Sequence, residues 1–369
     1  MNVLWLYGIH EQSGYARNSR EFIKALNANG MTTKFLTLGH KDYPEKDIMQ
    51  QWEAAEGYEY DIIVQNVVPP CFKRLGTKKN ILMTFAETDS VAPDWVAKCN
   101  EADEVWTTSY YSQAAFIHSG VRVPVRAIAM PVDTKQIVES SRFTNNDTLQ
   151  ELIKLREKSS FVFFANSEWT PRKGWDILLK SFYDVFADYE DISLVIKTCC
   201  FSQVESTSSI LAQINAERHR TAGKCPVMLI NDIMDIREVW HLYKFADAFV
   251  LPSRGEGCGI PYLEAMSHGL PIICPSRGGQ IDYINDNLAV TVKSTLIPAW
   301  RFPHNPHYNG NMMWIDTDAK DLSFKMMNMV VNQQRDKWEI GAKMFKDQFD
   351  LKGEKINETM NLIKAVAQG

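Results

Sequence analysis

The chain has 369 residues, 45% of them hydrophobic, which is long for one average domain and enough for two with ordinary cores. Forty Lys and Arg against 45 Asp and Glu leave a net charge of -5, which gives no global attraction to a phosphate backbone and disfavours a nucleic-acid partner. The seven cysteines are scattered through apolar runs, which suits a reducing, cytoplasmic compartment, and Cys199, Cys200 and Cys225 lack the CxxC spacing or neighbouring His of a zinc site.

The N-terminus, MNVLWLYGIHEQSG, has no basic lead-in and too short an apolar run for a signal peptide, so it reads as a first strand. No later run is long and apolar enough to span a bilayer, leaving at most peripheral membrane contact. Short apolar runs alternate with segments of helical spacing through the first third, which predicts strands at 3–7, 34–38, 61–64, 81–85, 104–107 and 126–129 around a parallel sheet. Between them, helices are expected at 14–29 and 109–119, each followed by a capping glycine, Gly30 and Gly120.

A polar, charged stretch over 140–158 carries few core residues and marks the boundary between a first domain, 1–150, and a second, 151–349. The second α/β series has strands at 161–165, 193–197, 227–230, 248–251 and 271–274, a helix from Gly174 and a variable stretch over 201–224. From Ala319 the spacing is helical to the end, predicting two or three terminal helices, of which the last, about 350–369, rejoins the first domain. The fold class expected is α/β: two Rossmann-like, doubly wound domains facing a cleft, with C-terminal helices.

The stretch FVLPSRGEGCGIPYLEAMSHGLPIICPSRGG reads strand, glycine-rich loop, helix, strand, loop. Its first strand delivers the chain to the carboxyl edge of the sheet, where open α/β sheets bind ligands. Gly255, Gly257 and Gly259 permit close approach of backbone to ligand, and Pro261 suits the first turn of a helix whose free amides and dipole favour a diphosphate. Glu256 sits in the loop and Glu264 about two helical turns on, and a carboxylate accepts hydrogen bonds well from the paired hydroxyls of ribose or hexose rings. In SEWTPRKGWDILLKSF, Arg172 and Lys173 stand together at a strand-to-helix turn, where two adjacent cations can neutralise the charge of a diphosphate.

Glu256-x7-Glu264, with its LPS lead-in, EAM-x-x-G-x-P tail and trailing Gly278-Gly279, resembles the retaining glycosyltransferases of the GT-B fold, family-four type. The resemblance implies that Glu256 contacts the hydroxyls of the donor sugar and Glu264 the nucleotide ribose, with the amides of Cys258, Gly259 and Ile260 facing the donor. It implies a nucleoside-diphosphate sugar as donor substrate, retention of anomeric configuration and no other cofactor. The family commonly carries an arginine where Glu168 stands, so Arg172 takes its place beside Lys173. Gly14 resembles the glycine of the family's first loop, Arg17 one turn later can reach an anionic group, and His10 in the same loop is a weaker candidate. Glu87, in FAETDS past the fourth strand, is placed to be an acceptor-side base or hydrogen-bond partner, or a helix cap.

Asp316-Thr317-Asp318 has the DxD spacing of a metal site, but it precedes terminal helices, where Asp is an expected N-cap. No metal is expected. His118 and His268 read as core or surface residues, and LIPAWRFPHNPHYNGNMMW, 296–314, as a binding or interface loop whose His304 and His307 lack the helical context of a zinc site. The acceptor is open: a glycan, a lipid-linked glycan, a protein, a small molecule or a modified nucleobase. The alternatives on the same scaffold are a sugar epimerase or phosphorylase and a non-catalytic sugar-nucleotide-binding protein; a nicotinamide dehydrogenase is disfavoured because no GxGxxG follows the first strand.

Overall fold

The computed structural model describes residues 1–6, 13–36, 49–144, 146–198, 206–299, 308 and 310–368. His10, Cys199, Cys200, His304 and His307 lie outside these residues.

Two parallel sheets of six strands each organise the chain. The first is built from β1 (Asn2–Leu6), β2 (Thr32–Leu36), β3 (Ile62–Asn66), β4 (Lys79–Met83), β5 (Glu104–Thr107) and β6 (Val125–Ala127), in the order β2-β1-β3-β4-β5-β6. Its central strands read as unbroken apolar runs because helices cover both faces, so that Val3, Leu4, Trp5, Ile62, Ile63, Val64, Ile81 and Leu82 are all buried. Helix α1 (Gly14–Ala28) follows β1; Ser13 caps it, its hydroxyl accepting from the Ala16 amide at 3.2 Å. The other described helices of this region are α2 (Pro93–Cys99), α3 (Tyr110–His118) and α4 (Thr134–Glu139).

The second sheet runs β12-β11-β10-β7-β8-β9, from β7 (Phe161–Asn166), β8 (Ile192–Lys197), β9 (Val227–Ile230), β10 (Ala248–Val250), β11 (Ile272–Pro275) and β12 (Ala289–Val292). Here the chain starts in the middle, winds outward through β8 and β9, then returns to the other side of β7 with β10. The order of winding therefore reverses between β7 and β10, and the crevice above their carboxyl ends is where such sheets bind ligands. Helices α6 (Trp175–Phe186), α7 (Thr207–Thr221), α8 (Ile236–Leu242), α9 (Ile260–Ser267), α10 (Ala319–Val331) and α11 (Arg335–Phe349) belong to this half.

The last helix, α12 (Glu354–Gln368), packs against the first sheet: the Ala129 amide donates to Thr359 Oγ1 at 3.0 Å and Lys79 Nζ to the Val366 carbonyl at 2.9 Å. The two chain crossings between the halves are tied together where the Val132 amide donates to the Phe349 carbonyl at 3.0 Å and the Thr134 amide to Asp350 Oδ1 at 3.0 Å.

Three stretches hold elements beyond those expected. The polar stretch 140–158 holds a helix, α5 (Asn146–Lys158), whose single fully buried apolar residue, Leu152, is too weak a periodic signal to read. The variable stretch 201–224 contains α7, capped by Ser206 and anchored by Ile210 and Ile214 one turn apart. The sequence 294–317 is not merely a loop, because β13 (Ser294–Pro298) and β14 (Met313–Thr317) pair antiparallel as a separate two-stranded hairpin. None of the described helices is long and apolar enough to cross a membrane.

Candidate active site

The loops leaving β7 and β10 meet at the crevice. After β7 the chain makes a short helical turn, Pro171–Lys173, that ends on Gly174 at φ 71°, the left-handed region that favours glycine. A side chain there would stand 2.1 Å from the Pro252 carbonyl oxygen, so this turn lies directly on the segment that follows β10. Backbone pairing fixes the contact: the Arg254 amide donates to the Arg172 carbonyl at 2.6 Å.

Arg254, which sequence reasoning passed over, binds this assembly from beneath. Its guanidinium donates to both carboxylate oxygens of Asp176, at 2.8 and 2.7 Å, to Asp316 at 2.8 Å and to the Pro171 carbonyl at 2.5 Å. A bidentate carboxylate pair of this kind is directional as well as strong. Asp316 is thus engaged by Arg254, and Asp318 caps α10 by accepting from the Lys320 and Asp321 amides, each at 2.9 Å. Among the described residues, no three His, Cys, Asp or Glu side chains are gathered as the ligands of a metal ion.

On that base stand the cations. Lys173 Nζ lies 2.5 Å from Glu256 Oε1, and Arg172 Nη1 lies 3.9 Å from the same oxygen while donating to the Gly255 carbonyl at 2.7 Å. Arg172 Nη1 also lies 3.2 Å from Glu87 Oε1, a residue of the first half that the β4 loop brings across. Arg172, Lys173, Glu256 and Glu87 thus form one cluster. Burial alone would push the Glu256 carboxyl up, but Lys173, then Arg172, outweigh it and hold the carboxyl below its ordinary range. For Arg172 burial acts downward, and the carboxylates of Glu87, Glu256 and Glu168, together with the Tyr308 hydroxyl, more than reverse it, so the guanidinium stays protonated. Glu168 therefore acts on the cluster as an added negative charge near Arg172.

The glycine loop of 255–259 is packed against the first half of the chain. Ser109 Oγ donates to the Gly257 carbonyl at 2.7 Å, and a side chain on Gly257 would stand 2.6 Å from Phe85 Cβ. Gly259, at φ 84°, turns the chain into α9, and the Tyr283 hydroxyl donates to the Cys258 and Gly259 carbonyls at 2.7 and 2.9 Å. The Gly259 carbonyl also accepts from the Tyr262 amide at 3.0 Å, closing the first turn of α9, whose first residue is Ile260. Cys258 is buried, and burial pushes its thiol up to about 12, so it is not a nucleophile at neutral pH.

Glu264 lies on a different wall. It is buried, with Oε1 accepting from Trp240 Nε1 at 3.0 Å and Oε2 from the Tyr243 hydroxyl at 2.9 Å. Arg17 of α1 stacks over the Trp240 ring at 4.5 Å, joining the first half of the chain to this carboxylate. Burial raises the Glu264 carboxyl pKa, opposed by Arg17 and the two donors. Gly14 opens α1 with no described residue within 4 Å of where a side chain would be, and the described residues do not bring it into either group.

His268 completes the Glu264 wall, its ring stacked on Tyr243 with centroids 5.4 Å apart. Its Nδ1 lies 3.0 Å from the Glu264 carbonyl, which places the proton there, and its buried Nε2 has no hydrogen-bond partner among the described residues. Burial therefore lowers its pKa from 6.5 to about 4. The neutral ring is favoured in the fold, so this contribution to stability is complete above pH 6.5 and is lost as the pH falls toward 4, amounting to about 3 kcal/mol. Urea unfolding across that range is expected to show the loss, and His268→Gln to flatten it.

Residues 158–299 match the model of the family described as "Glycosyl transferases group 1". Among curated proteins, the chain is 23% identical over 245 residues to uncharacterized protein 356 of Sulfolobus islandicus rod-shaped virus 1, covering 65% of this chain and 64% of that one. It is 28% identical over 170 residues to a GDP-mannose-dependent monoacylated alpha-(1-6)-phosphatidylinositol monomannoside mannosyltransferase of Corynebacterium glutamicum, covering 43% of this chain and 42% of the relative. A glycogen synthase of Trichodesmium erythraeum is 31% identical over 146 residues, covering 39% of this chain and 29% of the relative. The chain thus spans less than two thirds of the length of each of these relatives.

Solved structures match across the whole length. Anabaena Alr3699/HepE in complex with UDP and glucose has a TM-score of 0.67 at 14% identity, with 100% of both chains covered. The Escherichia coli trehalose-6-phosphate structure bound with UDP-2-fluoro glucose has a TM-score of 0.69 at 11% identity, covering 100% of this chain and 99% of the other. The protein has the GT-B fold, as expected from its sequence, and its second half carries the sequence pattern of the group 1 glycosyl transferases.

Proposed function

We propose that the protein transfers a sugar from a nucleoside-diphosphate sugar to an acceptor hydroxyl, with retention of anomeric configuration and without a metal ion, in the cytoplasm. The observation that carries this reading is the pair Arg172 and Lys173 held against Glu256 at the point where the winding of the second sheet reverses. In the reaction the bond from the anomeric carbon to the diphosphate breaks, its electron pair leaves with the diphosphate, and the acceptor oxygen forms the new bond as its proton passes to the acceptor-side carboxylate Glu87. Charge grows on the leaving diphosphate, and two preorganised cations in a water-poor crevice are the groups best able to stabilise it.

Glu256 accepts hydrogen bonds from the donor sugar and Glu264 from the ribose, since a carboxylate engaged by two donors retains acceptor capacity. The amides of Cys258, Gly259 and Ile260 face the diphosphate at the start of α9, and Glu87 faces the acceptor. UDP and GDP are the first nucleotides to test, because similar proteins are a structure holding UDP and a GDP-mannose-dependent mannosyltransferase.

The test is a thermal-shift screen in EDTA with UDP, GDP, ADP and CMP and the sugar conjugates UDP-glucose and GDP-mannose, followed by nucleotide release from the donor that binds. One diphosphate at a hundred times its Kd is expected to stabilise the protein by about 2.7 kcal/mol. Glu264→Ala should abolish that response. Failure of every nucleotide at millimolar concentration would sink the reading, and binding with no turnover would favour a non-catalytic binding protein.

A further inference from the structure

The hairpin β13–β14 extends from the second half of the chain and, among the described residues, is paired with neither six-stranded sheet. Its C-terminal strand is tied at once to the donor loop and to the first half. The Ile315 amide donates to the Arg254 carbonyl at 2.8 Å, the Met313 amide to Asp89 Oδ1 at 2.8 Å, and the Asp89 amide to the Met313 carbonyl at 3.3 Å. Ala299, Tyr308, Met312 and Trp314 form a small apolar cluster that Ala92 of the first half completes. The hairpin is therefore a bridge across the cleft, and it carries Tyr308 to the candidate active site.

Tyr308 is buried, its ring set edge-on to Trp314 with centroids 5.2 Å apart, and its hydroxyl donates to Glu87 Oε2. The other oxygen of Glu87 lies 3.2 Å from Arg172 Nη1. The carboxylate of a residue from the first half is thus gripped by one group on each of two segments of the second. Its side chain keeps 34% of its surface exposed, so it remains open to an incoming hydroxyl. Burial, and then the charge of Glu87, push the Tyr308 phenol well above its ordinary range, so it stays a donor and cannot itself act as a base.

We propose that Tyr308 is the positioning residue that sets the acceptor-side carboxylate Glu87, delivered across the cleft by the β13–β14 hairpin. This inference rests on the glycosyltransferase reading. It explains why an otherwise unpaired hairpin is fastened to Asp89, two residues beyond Glu87: with that anchorage, Glu87 adopts its two-point grip only when the halves are in contact. A carboxylate released from one of its two partners can swing away from the nucleophile, and a misplacement of about 1 Å costs as much as a hundredfold in rate.

The test uses the full-length chain and hydrolysis of the binding donor, UDP-glucose or GDP-mannose, with water standing in for the acceptor. Tyr308→Phe is expected to lower kcat for nucleotide release about ten- to a hundredfold while leaving KM for the donor and the nucleotide-induced thermal shift within twofold. In a Glu87→Gln background the same substitution should add almost nothing, because both act through one carboxylate. A fall in kcat that multiplies with that of Glu87→Gln, or a change in KM alone, would make the hairpin a structural brace and overturn the inference with the transferase reading intact. Absence of any nucleotide-induced shift in the wild type would overturn both.

Discussion

Replacing Lys173 by alanine is expected to lower the rate of nucleotide release from the bound donor about a hundred- to a thousandfold, the loss seen when one preorganised donor to a developing negative charge is removed. Lys173 is the nearer of the two cations to Glu256, at 2.5 Å against 3.9 Å for Arg172, and it is the first cause opposing the burial of that carboxylate. Its removal leaves a buried negative charge with a more distant partner, so the variant should also lose stability at pH 7, by about 3 kcal/mol. The sign with pH follows from the lowered Glu256 pKa. The stabilisation by the pair is present above the ordinary carboxyl value of 4.5 and is lost as the pH falls through the lower value in the folded protein. Urea unfolding at pH 7 and pH 3 should therefore show wild type and variant converging in acid. Wild-type turnover in the variant would remove Lys173 from the chemistry, whatever its effect on stability.

Gly255→Ala is expected to abolish turnover by keeping the two halves of the chain apart. A side chain at this position would stand 2.1 Å from the Glu87 carbonyl oxygen and 3.1 Å from its carbon. Backbone of the opposite half cannot swing aside as a long side chain can, so the cleft must open. Opening removes Glu87 from Arg172 and admits water to the cations, and either change costs about a hundredfold or more. Each six-stranded sheet lies wholly within one half, so circular dichroism should change little while small-angle scattering reports a larger radius of gyration. Gly174 offers the contrast: its close neighbour, Pro252, is in the same half and its φ is 71°, so a substitution there strains the fold rather than the closure. Full activity in Gly255→Ala would mean that this contact is absent from the working state.

Much of the candidate site was legible because its residues lie in short stretches. The glycine loop with Glu256, the following helix with Glu264, and Arg172 next to Lys173 each combine residues within about ten positions of one another, where turn chemistry and helical spacing leave a readable pattern. The same holds for the alternation of strands and helices that implied two doubly wound sheets, since a strand covered on both faces must be apolar throughout. Helices α5 and α7 went unread because each buries one or two apolar residues, too few for a stripe.

The two-sheet architecture, the loop that carries Glu256 and the adjacent cations all follow from local patterns in the amino-acid order. Tertiary structure alone decided that Arg172 reaches Glu87 as well as Glu256, that Glu264 is enclosed by Trp240 and Tyr243, that Arg254 underpins the turn of Arg172 and Lys173, and that Tyr308 arrives on a hairpin. The reason is separation along the chain. Arg254 meets Asp176 across 78 residues and Tyr308 meets Glu87 across 221, and a hydrogen bond between such residues imposes no periodicity on the sequence around either. Local spacing records how the backbone coils or extends; which loops then face each other is set by the winding of the sheets and the closing of one half upon the other.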